Sequence, residues 1–114
     1  MKMIEIELDK KRILKFGTRA FVEIEKVLDT PMDKIDFERQ ETIYALLYAG
    51  LIHTDRKLTL DKVYGIVDDM IDKLADEEGI PFMEAFGKVL GYIGEKIGEA
   101  MGEKAGEEKP NKKW

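Results

Sequence analysis

Ile43-Tyr44-Ala45-Leu46-Leu47-Tyr48-Ala49-Gly50-Leu51-Ile52 is the stretch on which the fold turns. Wound as a helix it is apolar on nearly every side. A helix apolar all round is buried all round, so this one is expected at the centre of the domain. Asp36 supplies a cap upstream, and the helix is expected from about Phe37 to Ile52. The uncharged run, Thr42 to Thr54, is far shorter than the roughly 20 apolar residues a membrane span needs. The segment therefore reads as the core of a soluble protein.

Upstream, Ala20, Phe21, Ile24, Val27 and Leu28 recur at helical spacing, with Arg19, Glu23 and Lys26 turned away from them. They predict a first helix over 18–28, capped by Thr18 and stopped by Asp29-Thr30-Pro31. Before it, Ile4, Ile6 and Leu8 alternate with Glu5 and Glu7, the pattern of a half-buried strand. Ile13-Leu14-Lys15-Phe16 follows a charged turn at Asp9-Lys10-Lys11, which predicts a hairpin over 3–16 ended by Gly17. Two strands alone are marginal in water, so the hairpin must rest on the helices.

Downstream, Leu58 and Thr59 open a third helix over 59–78, with Thr59 as cap and Leu58 stapled to Val63. Its apolar stripe is Val63, Ile66, Val67, Met70, Ile71 and Leu74, and Gly79 closes it. Pro81 takes the first position of a fourth helix over 81–104. Residues 106–114 are charged, carry Pro110, and are expected to form a flexible tail. The expected architecture is one α+β, mainly helical domain over 1–105: a β-hairpin followed by four helices.

Composition narrows the function. The chain has 114 residues, a net charge of −5 and no cysteine. Its acidic field repels a phosphate backbone, which argues against nucleic acid as a partner. The one basic cluster, Lys10-Lys11-Arg12, reads as a charged turn. Without cysteine there are no disulfides and no thiolate metal sites. The charged N-terminal residues do not resemble a signal peptide, so the cytoplasm is the expected compartment.

Catalysis finds little to build on. His53 is the sole histidine and reads as a cation or capping group at a helix end. Asp68, Asp69, Asp72 and Asp76 lie opposite the Val63–Leu74 stripe and read as a solvated face, a weak cation site being the rival reading. Asp29, Asp33 and Asp36 lack the glycine and closing glutamate of a calcium loop. Gly91-Tyr92-Ile93-Gly94 follows no strand and is no phosphate loop. The expectation is a non-enzymatic protein without cofactor or metal.

The fourth helix asks for a partner. Phe82, Phe86, Val89, Leu90, Ile93, Ile97 and Met101 form its apolar stripe, flanked by Gly87, Gly91, Gly94, Gly98 and Gly102. Each interior glycine costs ~0.8–1 kcal/mol relative to alanine, so five cost about 4–5 kcal/mol, and propensity alone predicts that the helix does not persist. Three readings compete: close packing on its own domain, binding of a second copy or another protein, and disorder past Tyr92. At ~36 Å the helix is expected to overhang the others, which favours the second. Phe82, Phe86, Gly87, Leu90, Gly91, Ile93, Gly94, Ile97, Gly98 and Met101 are the candidate protein-binding residues. On this reading Leu90→Asp or Ile97→Asp leaves the fold intact and abolishes binding.

Ile13 to Asp29 (ILKFGTRAFVEIEKVLD) and Tyr44 to Asp72 (YALLYAGLIHTDRKLTLDKVYGIVDDMID) resemble the tail assembly chaperones of long-tailed phages and prophages of Gram-positive bacteria. The resemblance covers residues 1–75 and rests on Lys15-Phe16-Gly17, Leu46 to Leu51, and Leu58 to Asp61. It implies a non-enzymatic adapter that keeps the tape-measure protein soluble, aids tail-tube assembly, and is absent from the mature virion. The family often comes as a short form and a longer, frameshifted one, and an A-rich slippery run is the expectation for the codons of Lys112-Lys113. The glycine-rich helix has no counterpart in the family pattern. The rival expectation is a small acidic helical regulator or inhibitor that sequesters a host protein.

Overall fold

The computed structural model describes residues 3–102. Antiparallel strands β1 (Met3–Glu7) and β2 (Lys11–Lys15) precede helices α1 (Thr18–Leu28), α2 (Gln40–Leu51), α3 (Leu60–Glu78) and α4 (Phe82–Met101), with a 3₁₀ turn at Met32–Lys34. The fold is α+β and mainly helical, as the periodicity predicts. The expected tail 106–114, with Lys112-Lys113, lies outside the described residues. So do Glu103 and Lys104, expected to extend the fourth helix. Gly102, at φ 78°, closes α4 at Met101.

In the hairpin Ile4 pairs with Leu14 and Ile6 with Arg12, which sets Ile6 and Leu14 into the core. The turn manages without glycine because Asp9 Oδ1 accepts the Lys10 N–H at 3.0 Å and the Leu8 N–H donates to the Lys10 carbonyl at 3.0 Å.

Three helix starts differ from expectation, those of α1, α2 and α4. Thr18 is the first residue of α1 and not its cap; Gly17 holds that place with backbone alone, its carbonyl accepting the Phe21 N–H at 3.2 Å. Helix α2 begins at Gln40, not Phe37, because Asp36 spends its capping chemistry on a turn. Its carboxylate accepts the Glu38 N–H at 3.0 Å, and its carbonyl accepts the Arg39 N–H at 3.3 Å and the Thr42 hydroxyl at 2.7 Å. An Asx turn of this kind competes directly with helix initiation. It leaves Phe37 exposed and satisfies the buried Thr42. Thr59 and Gly79 cap α3 as expected, Thr59 Oγ1 accepting the Lys62 N–H at 3.1 Å. Pro81 sits one residue before α4, where its carbonyl accepts the Glu84 and Ala85 N–H groups at 3.1 Å.

Helix α2 is the central element, packed against β2, α1, α3 and α4. Ala45, Leu46, Leu47, Ala49, Gly50 and Leu51 are all buried on it. Gly50 is where the hairpin meets it. A methyl group there would lie 2.8 Å from Phe16 Cζ and 2.9 Å from Leu14 Cδ2. Both side chains are themselves buried, so neither can swing aside freely. Gly50→Ala is expected to overpack this seam and lower stability by about 1–2 kcal/mol, the strain outweighing the gain in helix propensity. Gly91→Ala, whose added methyl meets none of the described residues within 4 Å, is expected to raise stability by up to ~1 kcal/mol. Urea denaturation of the two variants reads both signs.

Candidate protein-binding face on the fourth helix

Helix α4 has two faces, and they divide the ten candidate residues. Leu90, Ile93 and Ile97 are 9%, 0% and 4% exposed and sit in the core with Ala85, Val89 and Ala100. They are not a free binding surface, contrary to expectation. Phe86 and Met101 are half-buried against that core. Phe82, by contrast, is 48% exposed and its neighbour Met83 71%. The Phe82 and Phe86 rings stack at 6.3 Å between centroids. Gly87 and Gly91 are exposed, Gly94 and Gly98 partly so.

At 100° per residue the directions of Gly87, Gly91, Gly94 and Gly98 fall within about 60° of one another, roughly opposite the buried stripe. A methyl group at any of the four would meet none of the described residues within 4 Å. The glycines therefore do not serve close packing against the described domain. Glu84, Lys88 and Glu95 border this face on one side, and Met83, Leu90 and Met101 on the other.

The helix runs unbroken past Tyr92 to Met101, so the third reading, disorder past Tyr92, does not hold. Gly102 is a left-handed cap, a place that favours glycine, which leaves four interior glycines costing about 3–4 kcal/mol. Burial of Val89, Leu90, Ile93 and Ile97 contributes about 1.5–3 kcal/mol each and outweighs that cost. The expected overhang is absent too: α4 has 20 residues against 19 in α3, and Ala100 near its end is buried.

The other candidates resolve into structure. His53 Nε2 lies 3.0 Å from the Ile13 carbonyl, so the ring ties the end of α2 to β2 and does not cap its own helix. Arg12, read from sequence as part of a charged turn, has a side chain only 8% exposed. It donates to both carboxylate oxygens of Asp9 at 2.8 and 2.9 Å and reaches Asp55 at 3.5 Å. The Arg12 hydrogen bond and charge hold the Asp9 carboxyl below its ordinary range. Tyr92 Oη accepts the Glu7 N–H at 2.8 Å and lines a groove between α3 and α4 with Leu8, Met70, Leu74 and Val89. No sequence signal marked the bond of Tyr92 to Glu7 or the reach of Arg12 to Asp55, because these pairs are 85 and 43 residues apart. Asp68, Asp69, Asp72 and Asp76 are exposed, and no group of three or more acidic or histidine side chains is gathered for a metal ion among the described residues. Nor is any helix among them long and apolar enough to cross a membrane.

No protein-family model, curated protein or solved structure matches the chain.

Two outcomes follow from this geometry. Because Leu90 and Ile97 are buried, Leu90→Asp and Ile97→Asp place an unpaired charge in the core; each is expected to unfold the domain, seen as loss of cooperative melting by circular dichroism. Asp9 binds a proton less readily folded than unfolded. Its contribution to stability is thus complete above the ordinary carboxylate value near ~3.9 and is lost as pH falls through the lower folded value. Asp9→Asn is expected to flatten the fall in urea midpoint below about pH 4 while lowering the midpoint at pH 7.

Proposed function

We propose that this protein is a non-enzymatic tail assembly chaperone of a long-tailed phage or prophage, acting in the bacterial host cytoplasm and absent from the mature virion. Its client is the tape-measure protein, and by keeping that protein soluble it aids assembly of the tail-tube protein around it. The order and spacing of Lys15-Phe16-Gly17, Leu46 to Leu51 and Leu58 to Asp61 support the family.

The observation that carries a binding role is the outward face of α4. Four glycines with open space above them among the described residues, beside exposed Met83, leave room for a second helix to lie close against the backbone. A long helical client with apolar stripes matches that shape, and the stripes would otherwise drive aggregation. The opposite requirement, solubility of the complex, falls to the acidic surface of α3, where Asp61, Asp68, Asp69, Asp72 and Asp76 are exposed. Repeated binding along a long client makes moderate affinity per copy sufficient.

Co-expression with a fragment of the neighbouring tape-measure protein, followed by pull-down, tests the reading. The wild-type chain is expected to retain the fragment. Met83→Ser and Gly91→Leu, which leave the core untouched, are expected to weaken retention about tenfold or more, some 1.4 kcal/mol. A fragment that neither co-purifies nor gains solubility would overturn the chaperone reading in favour of the acidic regulator.

A further inference from the structure

We propose that the cleft between the hairpin turn and the loop joining α2 to α3 binds an acidic segment of a second protein. No residue of this cleft lies on α4, so it is a surface separate from the client face proposed above.

The contact of Arg12 with Asp55, 43 residues apart, brings two basic stretches together: Lys10-Lys11-Arg12 at the turn and Arg56-Lys57 after α2. Lys62 joins them, its ammonium donating to the Lys57 carbonyl at 3.4 Å. Between the two loops lies a cleft of about 220 Å³ walled by Lys10, Lys11, Arg12, Ile13, Thr54 and Asp55. The local carboxylates do not neutralise it. Asp9 and Asp55 are both held by Arg12. Glu7 stands opposite Lys11 across the hairpin, and Asp61 precedes Lys62. Six cations therefore meet four carboxylates, in a chain whose net charge is −5. Lys10, Lys11, Arg56, Lys57 and Lys62 form no ion pair among the described residues.

Arg12 makes the cleft more than a group of surface lysines. Its side chain is only 8% exposed. Of the five N–H groups of its guanidinium, two serve Asp9 and one reaches Asp55 at 3.5 Å, the outer limit of a hydrogen bond. The other two have no acceptor among the described residues. Buried donors are paired in folded proteins, and a guanidinium that holds one carboxylate along one edge still offers N–H groups to another. An incoming carboxylate meets these groups and replaces the long bond to Asp55, with Lys10 and Lys11 in the same wall.

The spread of charge selects the class of partner. The cations stand on two loops and the first turn of α3. Several carboxylates on one segment engage them together, whereas a single small ion does not. Further along α3, Asp68, Asp69, Asp72 and Asp76 are exposed. They repel an extended polyanion such as a duplex or an anionic membrane, but not a short acidic segment that stays within the basic loops.

Fluorescence polarisation of a labelled hexaglutamate peptide, titrated with the full chain at low ionic strength, tests the proposal. Saturable binding that weakens as salt rises is expected, with amide shifts confined to residues 10–12 and 54–57. Lys10→Ala combined with Lys57→Ala, both on the surface, is expected to weaken binding about tenfold without changing the melting temperature. Lys34→Ala combined with Lys73→Ala removes the same charge elsewhere and is expected to leave binding within about twofold. Asp55→Asn keeps an acceptor for the Lys57 N–H, now 3.2 Å away, but frees Arg12, and is expected to tighten binding about threefold. No saturable binding, equal losses in the two double variants, or weaker binding with Asp55→Asn would each overturn the proposal. So would tighter binding of inorganic phosphate, a short DNA duplex or phosphatidylserine vesicles, which would assign a small-ion, nucleic-acid or membrane site instead. A chain that binds the peptide this way yet ignores tape-measure fragments would overturn the chaperone reading and leave this one standing.

Discussion

Gly50, near the C-terminal end of the hydrophobic α2, has no side chain at the point where Phe16 and Leu14 press against it. The seating of the hairpin depends on that close approach. It seats the hairpin on α2, and seating the hairpin buries Ile6 and Leu14 in the same core that receives α1, α3 and α4. A two-stranded sheet has no stability of its own to lose. Its persistence depends on how closely the central helix lets it in.

The hairpin is then secured by three polar contacts, each reaching across the fold. Arg12 ties the turn at Asp9 to Asp55 beyond α2, His53 meets the Ile13 carbonyl, and Tyr92 of α4 meets the Glu7 N–H. These are groups that a bare two-stranded ribbon would leave to water or to another strand. Their use inside the chain serves the same end as the charges on Lys11, Lys15, Glu5 and Glu7: it keeps a short sheet from pairing with its neighbours.

Helix α4 divides its labour by face. One side buries Ala85, Val89, Leu90, Ile93, Ile97 and Ala100 and supplies enough apolar contact to hold the helix together. The other side is nearly bare backbone. Glycine there costs helix stability and meets no other side chain among the described residues. The proposed binding role draws on that asymmetry, although Leu90, Ile93 and Ile97 are withdrawn from it.

Most of the fold was legible along the chain because it rests on local physics. The alternation of Ile4, Ile6 and Leu8, the cap at Thr59, the stop at Gly79 and the all-round apolar character of Ile43 to Ile52 each act within a few residues, and the structure bears out each of them. The start of α2 escaped because Asp36 serves equally as a helix cap or a turn former, and local chemistry does not choose between them. The candidate site was half legible. Sequence alone marked α4 and its glycines, since spacing and propensity are one-dimensional. Which side of α4 faces the core depends on where α2, α3 and the hairpin stand, and only the tertiary structure decides that. It turned Leu90 and Ile97 inward, left the glycines without neighbours among the described residues, and brought Tyr92 to Glu7 and Arg12 to Asp55, far away in the chain.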